Sequence, residues 1–296
     1  MKYKILVLDL DGTLTNKKKE ITVHTRETLI RAQEAGVKIV LASGRPTYGI
    51  APLAEELRLG DFEGYILSYN GGQIIDWKTK KMMYENELDP KVYPYLYECA
   101  KKNGFVILSY KDEYIVSEDA GNPYVQHEAF LNRMPSITVP NFLEVFDFPV
   151  PKCLIVGDPE PLSVLEQKMK QDLEGRMNVF RSEPFFLELV PNGIDKARSL
   201  AVLLGELGMK PEEMVAVGDG FNDLSMIQFA GLGVAMANAQ VTEHGEGPLP
   251  RPYGQAESRL RDEGPRAPSP LGCRVGSGRS GRAHPCARPA MNRRYR

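Results

Sequence analysis

The sequence breaks four times at the same kind of junction, where a short apolar run stops at small polar residues and glycine. Residues 3–8 run into Asp9-Leu10-Asp11-Gly12-Thr13, and residues 37–42 into Ser43-Gly44-Arg45-Pro46. Residues 64–68 run into Asn70-Gly71-Gly72, and residues 214–217 into Gly218-Asp219-Gly220. Short apolar runs bounded by turn residues read as buried strands. Helical stretches lie between them at 23–35 (N-cap Thr22 or Thr25, terminator Gly36), 48–57, 196–207 and 221–230, with one more strand at 231–236. Strands alternating with helices predict a Rossmann-like parallel sheet with helices on both faces, the α/β class. Ligands of such sheets bind outside the carboxyl ends of the strands, where the polar clusters fall.

The texture changes near residue 83. Aromatics become frequent (Tyr93, Tyr95, Tyr97, Phe105, Tyr110), with strand-like runs at 104–109, 114–117 and 152–156 and a polar helix at 161–173. The expected organisation is a discontinuous core, 1–82 with 190–240, carrying an inserted α+β cap at 83–189. Residues 241–296 differ again, with eleven Arg, no Lys, five acids, eight Gly and eight Pro. That segment carries +6 and leaves −8 for the rest of the chain. Its composition predicts disorder. The abrupt replacement of Lys by Arg points to a changed reading frame or a fused segment, with an Arg-rich nucleic-acid-binding tail as the functional alternative. The acidic body does not suit nucleic acid.

The four cysteines form no C-x-x-C and the four histidines show no zinc spacing, so Cys99 and Cys153 are expected as small core residues. No apolar run approaches the ~18 residues of a membrane span, and the first is cut at Asp9, short of a signal-peptide core. A cytoplasmic protein without a membrane partner is the expectation.

Asp9 and Asp11, two residues apart at a strand's end, point the same way, and Gly12 lets the chain turn sharply behind them. Like charges this close raise each other's pKa, and a hard dication, most naturally Mg²⁺, relieves the repulsion. Hydrolysis of a phosphate monoester needs an in-line nucleophile, an acid for the leaving oxygen and cations for the phosphoryl charge. Asp9 suits the nucleophile, through an aspartyl-phosphate, and Asp11 the general acid and base. Asp9, the backbone carbonyl of Asp11 and Asp219 suit the metal. Ser43 and the next N–H can donate to a phosphoryl oxygen, Lys196 can supply fixed positive charge, and Asn222 with Asp223 can brace the metal waters and Lys196. Each residue alone has a plainer reading. Ser43 would be a helix cap, Lys196 a surface lysine, Lys17-Lys18-Lys19 a solvated loop, and Phe185-Phe186 packing between the two modules. No G-x-x-x-x-G-K-[ST] occurs, which excludes a P-loop.

Together these stretches resemble the motifs of the haloacid dehalogenase superfamily. Asp9-Leu10-Asp11-Gly12-Thr13 resembles the first, Leu41-Ala42-Ser43-Gly44-Arg45-Pro46 the second, Gly193-Ile194-Asp195-Lys196 the third, and Gly218-Asp219-Gly220-Phe221-Asn222-Asp223 the fourth. The long insert resembles the large cap of the Cof-type sugar-phosphatase branch, and Asn70-Gly71-Gly72 a substrate-side turn of that branch. The resemblance covers about residues 1–240. It implies Mg²⁺, a cap that closes over the substrate, and small phosphorylated metabolites such as sugar phosphates, pyridoxal phosphate or FMN. It places Ser43, Gly44, Arg45, Asn70, Gly71, Lys196 and Asn222 on the substrate. Substrate choice is expected in the cap, where Tyr110 and Tyr124 are candidate contacts. Beyond Gln240 the family's last strand and helix find no counterpart, which predicts reduced stability. The rival readings are a phosphosugar mutase of the same superfamily and a non-catalytic binding or regulatory protein.

Overall fold

The computed structural model describes residues 1–239. The expected tail at 241–296 lies outside the described residues. The chain opens with β1 (Ile5–Leu8), α1 (Val23–Glu34), β2 (Lys38–Ala42), α2 (Thr47–Glu56), β3 (Tyr65–Ser68), β4 (Gln73–Asp76) and β5 (Lys81–Glu85). There follow α3 (Tyr93–Lys102), β6 (Val106–Lys111), β7 (Tyr114–Ser117), α4 (Pro123–Asn132), β8 (Ser136–Thr138), α5 (Phe142–Val145), β9 (Cys153–Val156), α6 (Pro159–Asp172), β10 (Met177–Glu183) and β11 (Phe186–Pro191). The last described elements are α7 (Lys196–Glu206), β12 (Met214–Gly218), α8 (Leu224–Phe229) and β13 (Leu232–Ala235).

Two sheets result. The first has the order β13-β12-β1-β2-β3-β4-β5. It is parallel from β13 to β3 and antiparallel at β3–β4 and β4–β5. Side chains of a strand alternate between faces, and β1 shows why both faces must be covered. Ile5 and Val7 pack with Leu200 and Leu203 of α7 and Met226 of α8, while Leu8 packs with Leu29 of α1 and Ile50 and Leu53 of α2. This is the doubly covered α/β layer predicted from the sequence. The second sheet, β10-β11-β9-β6-β7-β8, is antiparallel except at β7–β8. Helices α3 and α6 cover one of its faces through Leu96, Leu165 and Met169.

Local signals explain the element ends. Thr22, rather than Thr25, caps α1 and accepts from the Thr25 N–H. Asp195 caps α7, accepting from the Arg198 N–H at 2.9 Å. The first sheet keeps the chain through Glu85 and the second through Pro191. The β4–β5 hairpin adds two strands that the sequence reading did not contain, as are β8, β10, β11 and helices α3 to α5. The helix expected at 221–230 is a 3-10 turn, Phe221–Asp223, followed by α8. Cys99 and Cys153 are buried and free. Among the described residues no helix is long and apolar enough to cross a membrane.

Candidate active site

Asp9 follows β1 directly, and its N–H still donates to Val217 O at 3.0 Å, continuing the ladder to β12. The chain then turns, with Leu14 and Thr15 N–H donating to the Asp9 and Leu10 carbonyls. Gly12 sits in this turn at φ +89°, and a Cβ there would lie 2.2 Å from Asp219 Oδ2. Glycine therefore does two things here: it permits the left-handed turn and leaves room for the carboxylate arriving from the neighbouring strand. Gly218 likewise leaves room for Asp223, whose Cβ would lie 2.5 Å from an added side chain.

Lys196, the first residue of α7, aims inward from a fully buried position. Its Nζ donates to Asp223 Oδ1 at 2.6 Å, Asp9 Oδ1 at 2.8 Å and the Ala42 carbonyl at 2.9 Å. Burial opposes its charge, but the two carboxylates outweigh that and raise its pKa. Asp223 turns its other oxygen to the N–H groups of Asp219 and Gly220 at 3.0 and 2.9 Å. Asp219 accepts from Thr13 Oγ1 at 3.0 Å and from Asn238 Nδ2 at 2.9 Å, and Asn238 also holds the Gly12 carbonyl. Carboxylate oxygens of Asp9, Asp219 and Asp223 lie within 4.8 Å of one another. Burial pushes the Asp9 carboxyl up to about 6; Lys196 pulls it down and Asp223 pushes it up. Burial and Asp223 also raise Asp219, against the Thr13 bond. An all-oxygen set in which Asp9 and Asp219 are held above their ordinary values fits a hard dication, which would restore both carboxylates.

Ser43 follows β2 and is buried. Its N–H donates to Leu67 O, its carbonyl accepts from Asn70 N–H at 2.8 Å, and its Oγ accepts from Arg45 N–H at 3.2 Å. Helix α2 starts after Pro46 with no side-chain cap, so Ser43 is not the helix cap that its spacing suggests. Arg45 chelates Asp11, Nε to Oδ2 at 2.8 Å and Nη2 to Oδ1 at 2.6 Å, and Lys19 Nζ reaches Oδ1 at 2.6 Å. Burial alone would raise the Asp11 pKa, but Arg45 and then Lys19 bring it below the ordinary value. Asn70 accepts from Asn222 Nδ2 at 2.9 Å and approaches Gly44 so closely that a Cβ there would lie 3.0 Å from its amide. Tyr69 and Asn70 are both left-handed, at φ 53° and 56°, a conformation that costs residues with side chains about 1–3 kcal/mol and that tertiary contacts must impose. Gly71 supplies one such contact, its carbonyl accepting from Ser199 Oγ of α7 at 2.6 Å.

The structure thus brings all of the expected residues to one end of the first sheet, linked directly or through a shared neighbour. It also adds residues that the sequence did not single out. Lys19, read as part of a solvated loop, is on Asp11, because Asn16 N–H donates to Glu20 O and folds the loop back. Asn238 supports Asp219 from beyond β13 with no motif to mark it. Thr13 stood beside the acids in the sequence, and its bond to Asp219 gives it a task. The aromatic pair belongs to an apolar cluster that also holds Tyr69 of the first module; within residues 83–189 Phe185 stacks on Tyr124 at 5.3 Å and meets His127. Tyr124 donates to Asp158, while Tyr110 is buried and faces Tyr69 edge-on at 5.8 Å.

Comparison with known proteins agrees with this geometry. A family model for haloacid dehalogenase-like hydrolases matches residues 6–242. A protein of Bacillus subtilis (strain 168) named as a phosphatase, YxeH, is 31% identical over 243 residues, covering 80% of this chain and 88% of its own. The 5-amino-6-(5-phospho-D-ribitylamino)uracil phosphatase YcsE of the same organism is 29% identical over 245 residues, covering 80% of this chain and 85% of its own. The crystal structure of a haloacid dehalogenase-like hydrolase from Bacteroides thetaiotaomicron superposes with a TM-score of 0.79 at 62% identity, covering 81% of this chain and 90% of that one. The chain belongs to the haloacid dehalogenase-like hydrolases and is an enzyme of their phosphatase type, with the large cap expected of the Cof-type branch.

Proposed function

We propose that the chain is a Mg²⁺-dependent phosphatase that hydrolyses small phosphorylated metabolites, sugar phosphates or similar esters, through a phosphoryl group carried on Asp9. The observation that carries this reading is the buried Lys196 bridge, which fixes one oxygen of Asp9 while the carboxylates of Asp219 and Asp223 stand within 4.8 Å. Asp9 and Asp219 side chains with the Asp11 carbonyl would hold the ion, and Asp223, both of whose oxygens are engaged, would stand behind them. Bound there, the ion would neutralise the repulsion between Asp9 and an incoming phosphate dianion.

The chain's own residues account for the remaining chemistry. Asp9 attacks phosphorus as the bond to the leaving oxygen breaks, and the leaving oxygen takes a proton from Asp11. Water then attacks the aspartyl-phosphate, Asp11 takes up its proton, inorganic phosphate leaves and Asp9 returns as a carboxylate. Ser43, the Gly44 N–H and Lys196 face the transferred group and stabilise its charge. In the substrate-free geometry Asp11 is ionised and tied to Arg45 and Lys19. Those two cations can turn to the phosphate as it binds; Asp11, freed of them, then takes up a proton from solvent, and that is the proton it gives to the leaving oxygen.

The test is phosphate release from a panel of monoesters with Mg²⁺, with Asp9→Asn beside the wild type. Release by the wild type, and none by Asp9→Asn at an unchanged circular-dichroism spectrum, is expected. Substantial turnover by Asp9→Asn removes Asp9 as the nucleophile. With a hexose phosphate, an isomerised sugar phosphate in place of inorganic phosphate would assign the mutase reading instead.

A further inference from the structure

Four consecutive residues after β3 are each tied to a different part of the molecule. Tyr69 N–H donates to the Arg45 carbonyl, and Asn70 N–H to the Ser43 carbonyl. The Gly72 carbonyl accepts from the N–H of Asn86, the residue after β5, at 2.8 Å. Gly71 reaches α7, its carbonyl accepting from the buried Ser199 Oγ at 2.6 Å. A serine inside a helix commonly bonds back to its own preceding turn. Ser199 has that acceptor too, the Asp195 carbonyl at 3.1 Å. Its hydroxyl carries one proton, and the shorter bond, to Gly71, takes it. The fit is close: a Cβ at Gly71 would lie 2.5 Å from Ser199 Oγ and 2.8 Å from the Asp195 carbonyl oxygen.

A ring closes through this bond. Lys196, three residues before Ser199 on α7, donates to Asp223. Asn222, next to Asp223, donates from Nδ2 to Asn70 Oδ1 at 2.9 Å. Asn70 precedes Gly71, and Gly71 returns the ring to α7 at Ser199. Three hydrogen bonds hold it together; the Asn222 bond is exposed, while those of Lys196 and Ser199 are buried. Tyr69 and Asn70 keep left-handed conformations that their side chains disfavour, so the loop relaxes once its buried anchor is lost. With Oδ1 taken by Asn222, Asn70 is left with Nδ2, which no acceptor among the described residues engages. It lies 3.0 Å from where a Cβ of Gly44 would stand. In the proposed reaction Ser43 and the Gly44 N–H face the transferred group, which makes Nδ2 a donor beside it.

We infer that Ser199 is a positioning residue, which anchors the loop at Gly71 so that Asn70 presents Nδ2 to a phosphoryl oxygen of the substrate. The inference rests on the phosphatase reading above. The phosphoryl oxygens are gripped before transfer as well as during it, so losing this donor raises KM and leaves kcat nearly unchanged. A disturbance carried along α7 to Lys196 would do the reverse, because Lys196 holds the nucleophile Asp9.

The experiment is a double-mutant cycle of Ser199→Ala and Asn70→Ala, read as phosphate release from the best monoester of the panel with inorganic phosphate as the competing ligand. Ser199→Ala is expected to raise KM about tenfold, as loss of a hydrogen bond to a charged group does. The inhibition constant of inorganic phosphate should rise by the same factor, with kcat held within about threefold. Asn70→Ala should behave alike, and adding Ser199→Ala to it should cost less than about twofold more, because the two act as one unit. Ser117→Ala is the control. Ser117 is also buried and donates to a backbone carbonyl, that of Ile107 at 3.0 Å, but in the second sheet. Its loss should lower the melting midpoint and leave KM within about twofold. Ser199→Cys, which keeps a weaker donor in place, carries the same cycle if the alanine variant does not fold. A KM that Ser199→Ala leaves unchanged, a loss confined to kcat, or equal losses with and without Asn70 overturns the assignment. If the wild type releases phosphate and the cycle fails, the phosphatase reading stands. If it releases phosphate from no monoester, both fail.

Discussion

Gly12 and Gly36 provide a matched pair of substitutions. Both hold the left-handed conformation, at φ +89° and +90°. A Cβ at Gly36, the residue after the C-cap of α1, would meet nothing within 4 Å, whereas one at Gly12 would lie 2.2 Å from Asp219 Oδ2 and 2.8 Å from its Cγ. Gly36→Ala therefore reports backbone strain alone, about 1–2 kcal/mol for an L-residue held left-handed. Gly12→Ala carries the same strain and adds a collision. Ordinary contact begins at 3.4 Å, so Asp219 must retreat by about 1.2 Å. A shift of that size breaks the Thr13 or the Asn238 bond, each a bond to a charged group worth about 1.5–3 kcal/mol.

The expected losses are about 1–2 kcal/mol for Gly36→Ala and about 3–5 for Gly12→Ala, out of a typical domain stability of about 5–15 kcal/mol. Urea titration of both variants reads these values. Function should separate further. Displacing a ligand by about 1 Å can cost about a hundredfold in rate, so Gly12→Ala should lose at least that in kcat/KM and need more Mg²⁺ for half-maximal activity. Gly36→Ala should stay within about twofold of wild type, its site being remote and the strain local. Equal stability losses in the two variants would refute the steric argument. Gly12→Ala at full activity would remove Asp219 from the site.

Three further expectations follow from the same geometry. Lys196→Met leaves two buried carboxylates facing one another and should cost about 3–5 kcal/mol, as breaking a buried ion pair does, with Asp223→Asn in the same chain recovering part of it; a loss under 1 kcal/mol in urea denaturation would contradict the bridge. Chelation should abolish phosphate release, and Mg²⁺ at a hundred times its Kd should restore it and raise stability by about 2.7 kcal/mol, so release that survives chelation counts against the ion. Asp11→Asn should slow esters of poor leaving groups far more than those of good ones, because proton donation matters most there; equal slowing would reassign Asp11.

The parallel half of the first sheet was legible because its strands are short and largely apolar, and most are followed within a few residues by glycine. Those same stops, at Gly12, Gly44 and Gly218, are where side chains of neighbouring loops need the missing Cβ, so one signal marked both the fold and the site. The β4–β5 hairpin was not legible. Lys81–Glu85 has no buried position and shows no clear alternation, and an edge strand pairing on one side needs none. Met177–Glu183 is similar, exposed over most of its second half. The site residues that escaped did so for a different reason. Lys19 sits in a run of three lysines, and nothing local separates the one that folds back onto Asp11 from the two that do not. Asn238 reaches Asp219 across nineteen residues, a contact set by the pairing of β12 with β13 and by no pattern in either.

Asp219 hangs from two supports of unequal strength. Thr13 follows β1, which pairs on both sides, with β12 and β2, and is almost wholly buried. Asn238 follows β13, which among the described residues pairs only with β12 and has no fully buried position. Parallel strands are normally covered on both faces, so β13, the least buried of the parallel strands, is the weakest of them. Elements with few buried contacts open before the whole domain does. Opening β13 releases Asn238 from Asp219 and from the Gly12 carbonyl while the rest of the sheet stands. The single tryptophan, Trp77, lies just past β4 near the other edge, packed among α1 and α2 residues, and reports on that remainder. Phosphate release should therefore decline at a lower urea concentration than the change in Trp77 fluorescence. Added Mg²⁺ should bring the two transitions together, because an ion on Asp219 favours the closed form. Coincident transitions without Mg²⁺ would mean that β13 unfolds with the core as one unit, and that both supports of Asp219 are equally firm.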